Sequence, residues 1–84
     1  MAEKHYYEQK RFAQSYLIPF LQNTIPGFKG LRILEVGCAE AGFLDQIQRA
    51  GMQCAGIELE KARVDLALEK NPQLNLYVGD ITDA

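Results

Sequence analysis

The chain opens on a stretch in which Tyr6, Ala13, Tyr16 and Leu17, continued by Phe20 and Leu21, recur close to the three-to-four spacing of an amphipathic helix. Pro19 interrupts it. Proline lacks an amide donor and disfavours helical geometry at Ile18, so the pattern predicts a kink or two helices, with Pro19 in the first turn of the second and an end by Thr24. Ile25-Pro26-Gly27-Phe28-Lys29-Gly30 then reads as a loop. From Leu31 the period changes. Leu31 to Val36 is a short apolar run ending at Gly37, the pattern of a buried strand, and Phe43 to Ala50 spaces Phe43, Leu44 and Ile47 helically before Gly51 caps that helix. Gln53 to Glu58 predicts a second strand. Glu60 to Lys70 predicts a helix with Ala62, Leu66 and Ala67 on its apolar face and Asn71-Pro72 as its stop, and Leu74 to Val78 alternates as a third strand. Strand, helix, strand, helix, strand with short joins predicts an α/β, Rossmann-like parallel sheet preceded by a helix.

Composition narrows the partners. Nine Lys and Arg against 11 Asp and Glu give a net charge of −2, without the basic excess of a nucleic-acid-binding domain. At 48% hydrophobic and 24% charged residues the chain is too apolar for disorder and too interrupted by charge to cross a membrane. The N-terminus lacks the basic segment and apolar run of a secretory signal, which makes a cytoplasmic setting the default. Cys38 and Cys54, with His5 the one histidine, form neither a zinc spacing nor a disulfide framework. At 84 residues the chain is one domain at most and buries about 60% of its unfolded surface.

The densest chemical signal is Glu35-Val36-Gly37-Cys38-Ala39-Glu40-Ala41-Gly42, where the first strand turns into its helix. Ligands of parallel sheets collect at the carboxyl ends of strands, and Gly37 would let the backbone approach one. Glu58 ends the second strand and Asp80 follows the third, so three carboxylates are expected along one rim. A carboxylate in the position of Glu58 suits the two hydroxyls of a ribose.

Ile33 to Leu44, Gly56-Ile57-Glu58-Leu59 and Val78-Gly79-Asp80-Ile81 resemble the amino-terminal part of the class I S-adenosylmethionine-dependent methyltransferases, over roughly residues 31 to 81. The resemblance implies S-adenosyl-L-methionine as cofactor. It places Glu35 near the methionine amino group, the Gly37 turn with Cys38, Ala39 and Gly42 against the methionine and ribose, and Glu58 on the ribose hydroxyls. Leu59 would pack on the adenine, Asp80 would accept from its amino group and Ile81 would cover the ring edge. Ala39 and Ala41 depart from the family, which usually has glycine there; alanine is expected to keep φ negative and to crowd the cofactor. Gly37-Cys38-Ala39-Glu40-Ala41-Gly42 can also be laid on the dinucleotide pattern GxGxxG. Ala39 stands where that pattern needs a glycine against pyrophosphate, and Glu35 would repel the pyrophosphate but attract an ammonium.

Other polar and reactive residues have plainer readings. Cys38 and Cys54 read as small buried fillers, His5 as solvated, and Glu40 as a carboxylate meeting a helix dipole. Asp45, Glu60, Lys61, Arg63, Asp65, Glu69 and Lys70 read as a solvated helix surface, and Tyr6, Tyr7, Arg11 and Phe12 as either a pocket-capping or a packing helix. The resemblance implies two units, a helical segment over 1–30 and a partial cofactor domain over 31–84 that lacks the fourth strand. The expected chain is then an amino-terminal fragment, inactive by itself, with its methyl acceptor and catalytic residues undefined. Its first strand has an open edge that invites self-association. The alternative is a small free-standing α/β binding or assembly module.

Overall fold

The computed structural model describes residues 2–83; Met1 and Ala84, the outer ends of the two expected units, lie outside the described residues. Helix α1 (Ala2–Phe12) runs through one wider π-type turn at Ala13–Leu17 directly into α2 (Ile18–Thr24). Pro19 cannot donate, and the π turn absorbs this: the Ile18 amide reaches back to the Ala13 carbonyl, and the Ser15 hydroxyl donates to the Arg11 carbonyl at 2.8 Å. Ile18 therefore stays helical (φ −64, ψ −49), contrary to the expectation from its following proline.

Strand β1 (Arg32–Val36), helix α3 (Gly42–Arg49), strand β2 (Gln53–Glu58), helix α4 (Lys61–Lys70) and strand β3 (Leu76–Val78) follow in the expected order. The three strands form a parallel sheet in the order β1-β2-β3, with Glu35 opposite Gly56, Val36 opposite Ile57, and Ile57 opposite Tyr77. Gly51 (φ 96) ends α3 as read from the sequence.

The core lies on one face of the sheet. Cys38, Leu44, Ile47, Met52, Ala67 and Leu74 are buried there, with Ile33, Cys54 and Leu76 packed beneath them. Helix α1 touches both α3 and α4, so all three helices share this face. Two consequences correct the sequence reading. β1 is not buried on both faces: Leu34 and Val36 are 58% and 57% exposed because no helix among the described residues covers their side. And α3 is sandwiched between the sheet and α1, so Asp45, read as surface, is fully buried. The covered stripe of α4 is Val64, Ala67 and Leu68, while Ala62 is exposed. Strand β3 starts at Leu76; Leu74, expected in it, turns into the core instead.

Candidate functional site

The loop from Gly37 to Ala41 leaves β1 at its carboxyl end and is tied to β2, with the Gly37 and Cys38 amides both donating to the Ile57 carbonyl at 2.8 and 3.2 Å. Gly37 has φ 73, where glycine is favoured, and the position of its absent Cβ faces open space. Ala39 and Ala41 are also left-handed, at φ 51 and 61, against the expectation of negative φ. Each such alanine costs about 1 kcal/mol or more, so the loop is held from outside. Gly42 is glycine for another reason. A Cβ there would collide with the Tyr6 carbonyl and stand 2.6 Å from Gln9 Cβ, because α1 crosses the start of α3 at this point.

The three carboxylates occupy different environments. Glu58 is 7% exposed; its Oε1 accepts from the Ala39 amide at 2.8 Å and its Oε2 from the Glu60 amide at 3.0 Å. Burial would raise its carboxyl, but the Glu60 and Ala39 amides and the Arg63 charge outweigh that and hold it below the usual range. Glu35 faces the helix-covered side, and its Oε1 is buried with no hydrogen-bond partner among the described residues. Burial alone pushes its carboxyl up to about 7. Asp80 is exposed and accepts from the Thr82 amide and hydroxyl at 2.9 and 2.8 Å, which lower its carboxyl.

A cleft of about 160 Å³ opens where the three strands end, lined by Val36, Gly37, Ile57, Glu58, Leu59, Gly79, Asp80 and Ile81. Of the residues expected to contact a cofactor, the structure brings Gly37, Glu58, Leu59, Asp80 and Ile81 together here. Leu59 is 66% exposed and Ile81 42%, so both present free apolar surface. Glu35 and Ala39 do not line it, though Ala39 is joined to it through Glu58. Cys38 points into the core, close to where a Cβ on Gly56 would sit, and burial followed by the Glu35 and Glu58 charges pushes its thiol up to about 11, so it stays protonated. A wider depression of about 530 Å³ around Arg49, Lys70 and Asn71 has its cations committed to Asp45 and Glu3. The strand-end cleft has the features of a binding site that the wider one lacks: a positive-φ glycine and a fixed buried carboxylate.

Sequence reasoning missed the residues that fasten the loop. Gln9 Oε1 accepts from the Gly42 amide at 3.1 Å, and Glu40, 1% exposed, pairs with His5 and Arg63 rather than with a helix dipole. Asp45 accepts from Tyr6, Arg49, Asn71 and Gln46. Burial would raise the Asp45 carboxyl, yet the Asn71 and Arg49 hydrogen bonds outweigh it and hold it low. Tyr6 and Gln9 of α1 and Ala13, the first residue of the π turn, form a buried i, i+3, i+7 stripe, which a helical reading that admitted a polar Gln9 would have found.

The chain is similar in structure to CalS10, an amino pentose methyltransferase from Micromonospora echinaspora involved in calicheamicin biosynthesis and solved with SAM bound, with 22% identity and a TM-score of 0.73 over 95% of this chain and 35% of that one. It is similar to Streptomyces venezuelae DesVI, with 19% identity and a TM-score of 0.71 over 94% of this chain and 34% of that one. A TehB-like SAM-dependent methyltransferase from Corynebacterium glutamicum matches with 19% identity and a TM-score of 0.69, over 99% of this chain and 47% of that one. No protein-family model matches the sequence, and no curated protein sequence does. These likenesses show the fold: the first half of a Rossmann-like methyltransferase fold. The chain spans about a third to a half of the length of these solved structures. Among the described residues no helix is long and apolar enough to cross a membrane.

Proposed function

We propose that residues 31–81 form the adenosyl-binding half of an S-adenosylmethionine-dependent methyltransferase. The observation that carries this reading is the cleft at the strand ends, where Gly37, Glu58, Leu59, Asp80 and Ile81 converge in a fold shared with such enzymes. Two features of the structure fit the cofactor. Gly37 leaves open space where a side chain would stand, and Glu35 Oε1, outside the cleft lining, is a buried acceptor with no hydrogen-bond partner among the described residues, suited to an ammonium group. Glu58 would hold the ribose hydroxyls with the lone pairs its two backbone donors leave free, Leu59 and Ile81 would flank the adenine, and Asp80 would accept from its amino group. The bound cofactor supplies a methyl group on a sulfonium, for transfer to an acceptor nucleophile.

The dinucleotide alternative is disfavoured by the same geometry. Pyrophosphate would need the amides at Ala39 and at the start of α3, but the Ala39 amide is spent on Glu58 and the Gly42 amide on Gln9 beneath α1. The acceptor pocket and catalytic groups fall, on this reading, in parts of the methyltransferase fold that these 84 residues do not span. The open edge of β1 supports pairing with a second copy of the chain as a further partner.

Calorimetry with S-adenosylhomocysteine, with NAD as competitor, tests the assignment. Binding of the adenosyl ligand that NAD at equal concentration fails to displace is the expected result, and displacement by NAD would transfer the site to the dinucleotide reading. Glu58→Ala should weaken S-adenosylhomocysteine by about tenfold or more, from the 1.5–3 kcal/mol of a hydrogen bond to a charged acceptor. A loss below about threefold counts against the ribose role.

A further inference from the structure

Glu40 belongs to the loop after β1, yet its carboxylate is buried and gripped from two sides. Oε1 lies 2.6 Å from His5 Nδ1 of α1, and Oε2 lies 3.4 Å from Arg63 Nε of α4, which also meets Glu60 at 2.6 Å. A buried carboxyl group needs partners for its oxygens, and these contacts tie its loop to both helices. The residue before it is Ala39.

 Its φ of 51 is a conformation alanine does not hold unaided, and from it the amide donates to Glu58 Oε1 at 2.8 Å. The chain of contacts therefore runs from α1 and α4, through Glu40, to the backbone that aims the Glu58 carboxylate.

We infer that Glu40 is a positioning residue: through His5 and Arg63 it keeps Ala39 left-handed, so that the Ala39 amide orients Glu58 and docking of the N-terminal helix is coupled to ligand affinity. None of the three touches the cleft. The ligand half of this inference rests on the adenosyl reading above, while the contact between Ala39 and Glu58 does not.

The test uses the whole chain, isotopically labelled and free of ligand, with S-adenosylhomocysteine as the probe in a parallel titration. In His5→Ala and Glu40→Gln, the Ala39 amide should lose its hydrogen-bonded proton shift and exchange at least about tenfold faster, while the amides of α3 keep their protection. Affinity for S-adenosylhomocysteine should fall by about tenfold, and His5→Gln, which retains a donor, should recover part of it. Adding Ala39→Gly should shrink the affinity penalty of His5→Ala to under about threefold, because glycine adopts this φ without help. A purely structural salt bridge would cost the same in both backgrounds, and that result overturns the inference. So does an unchanged Ala39 amide in the folded variants. Should Glu40→Gln fail to fold, the His5 series decides, since that ring is half exposed. If the wild-type chain does not bind the probe, the adenosyl reading fails and the amide measurements still decide the coupling.

Discussion

The Tyr6 hydroxyl donates to Asp45 Oδ2 at 3.1 Å across 39 positions of sequence, fastening the N-terminal helix to the helix that follows the first strand. Asp45 is fully buried and receives further hydrogen bonds from Arg49 and Asn71, so it joins α1, α3 and the end of α4. Breaking one partner of such a cluster strands the rest without compensation.

Asp45→Ala should therefore destabilise the chain by about 3 kcal/mol or more, and Tyr6→Phe by about 1 kcal/mol. Urea unfolding of the two variants checks both values. A Tyr6→Phe effect as large as that of Asp45→Ala would contradict the shared network.

Glu35 predicts an unusual pH dependence. Its carboxyl rises from an ordinary 4.5 to about 7 on folding, so the folded state holds its proton more tightly than the unfolded one. The group costs nothing below about pH 4.5, an increasing amount as pH rises toward 7, and up to about 3 kcal/mol above it. Glu35→Gln should thus gain stability relative to wild type between pH 5 and 8, on the order of 1–3 kcal/mol. Denaturation profiles of both proteins across that range measure the difference, and parallel profiles would refute it.

Ala39 and Ala41 share a strained φ but not an environment. Ala39→Gly should stabilise by about 0.5–1 kcal/mol, since glycine relieves the left-handed penalty at a smaller entropic cost. Ala41 belongs to the core cluster and is fully buried, so the methyl lost in Ala41→Gly, worth about 0.8 kcal/mol, offsets the relief and leaves stability nearly unchanged. Thermal unfolding of the two variants separates the cases.

The 84-residue chain should self-associate and transfer no methyl group by itself. Strand β1 is at the sheet edge, and Leu34, Val36 and Tyr77, 57–58% exposed, share its uncovered face. Light scattering over a concentration series should show a dimer that Leu34→Lys weakens. A well-folded monomer at high concentration, or methyl transfer to any acceptor, would contradict this prediction.

Period and punctuation along the chain were enough to place the elements. Gln53–Glu58 occupies the predicted strand to the residue, Gly51 ends its helix, and Gly37, Glu58, Leu59, Asp80 and Ile81 meet in one cleft because parallel strands bring their carboxyl ends to the same side. Hydrophobic period reports one partner surface for each element. It is silent about a second, which is why Asp45 reads as surface although α1 covers it. The same holds for Glu40 and His5, whose contact spans 35 positions, and for Gln9 beneath the start of α3. Nor does an alanine carry any mark of positive φ. Only the tertiary contacts around Ala39 and Ala41 impose it, because a conformation that the isolated residue disfavours exists where the surrounding fold supplies the energy to hold it.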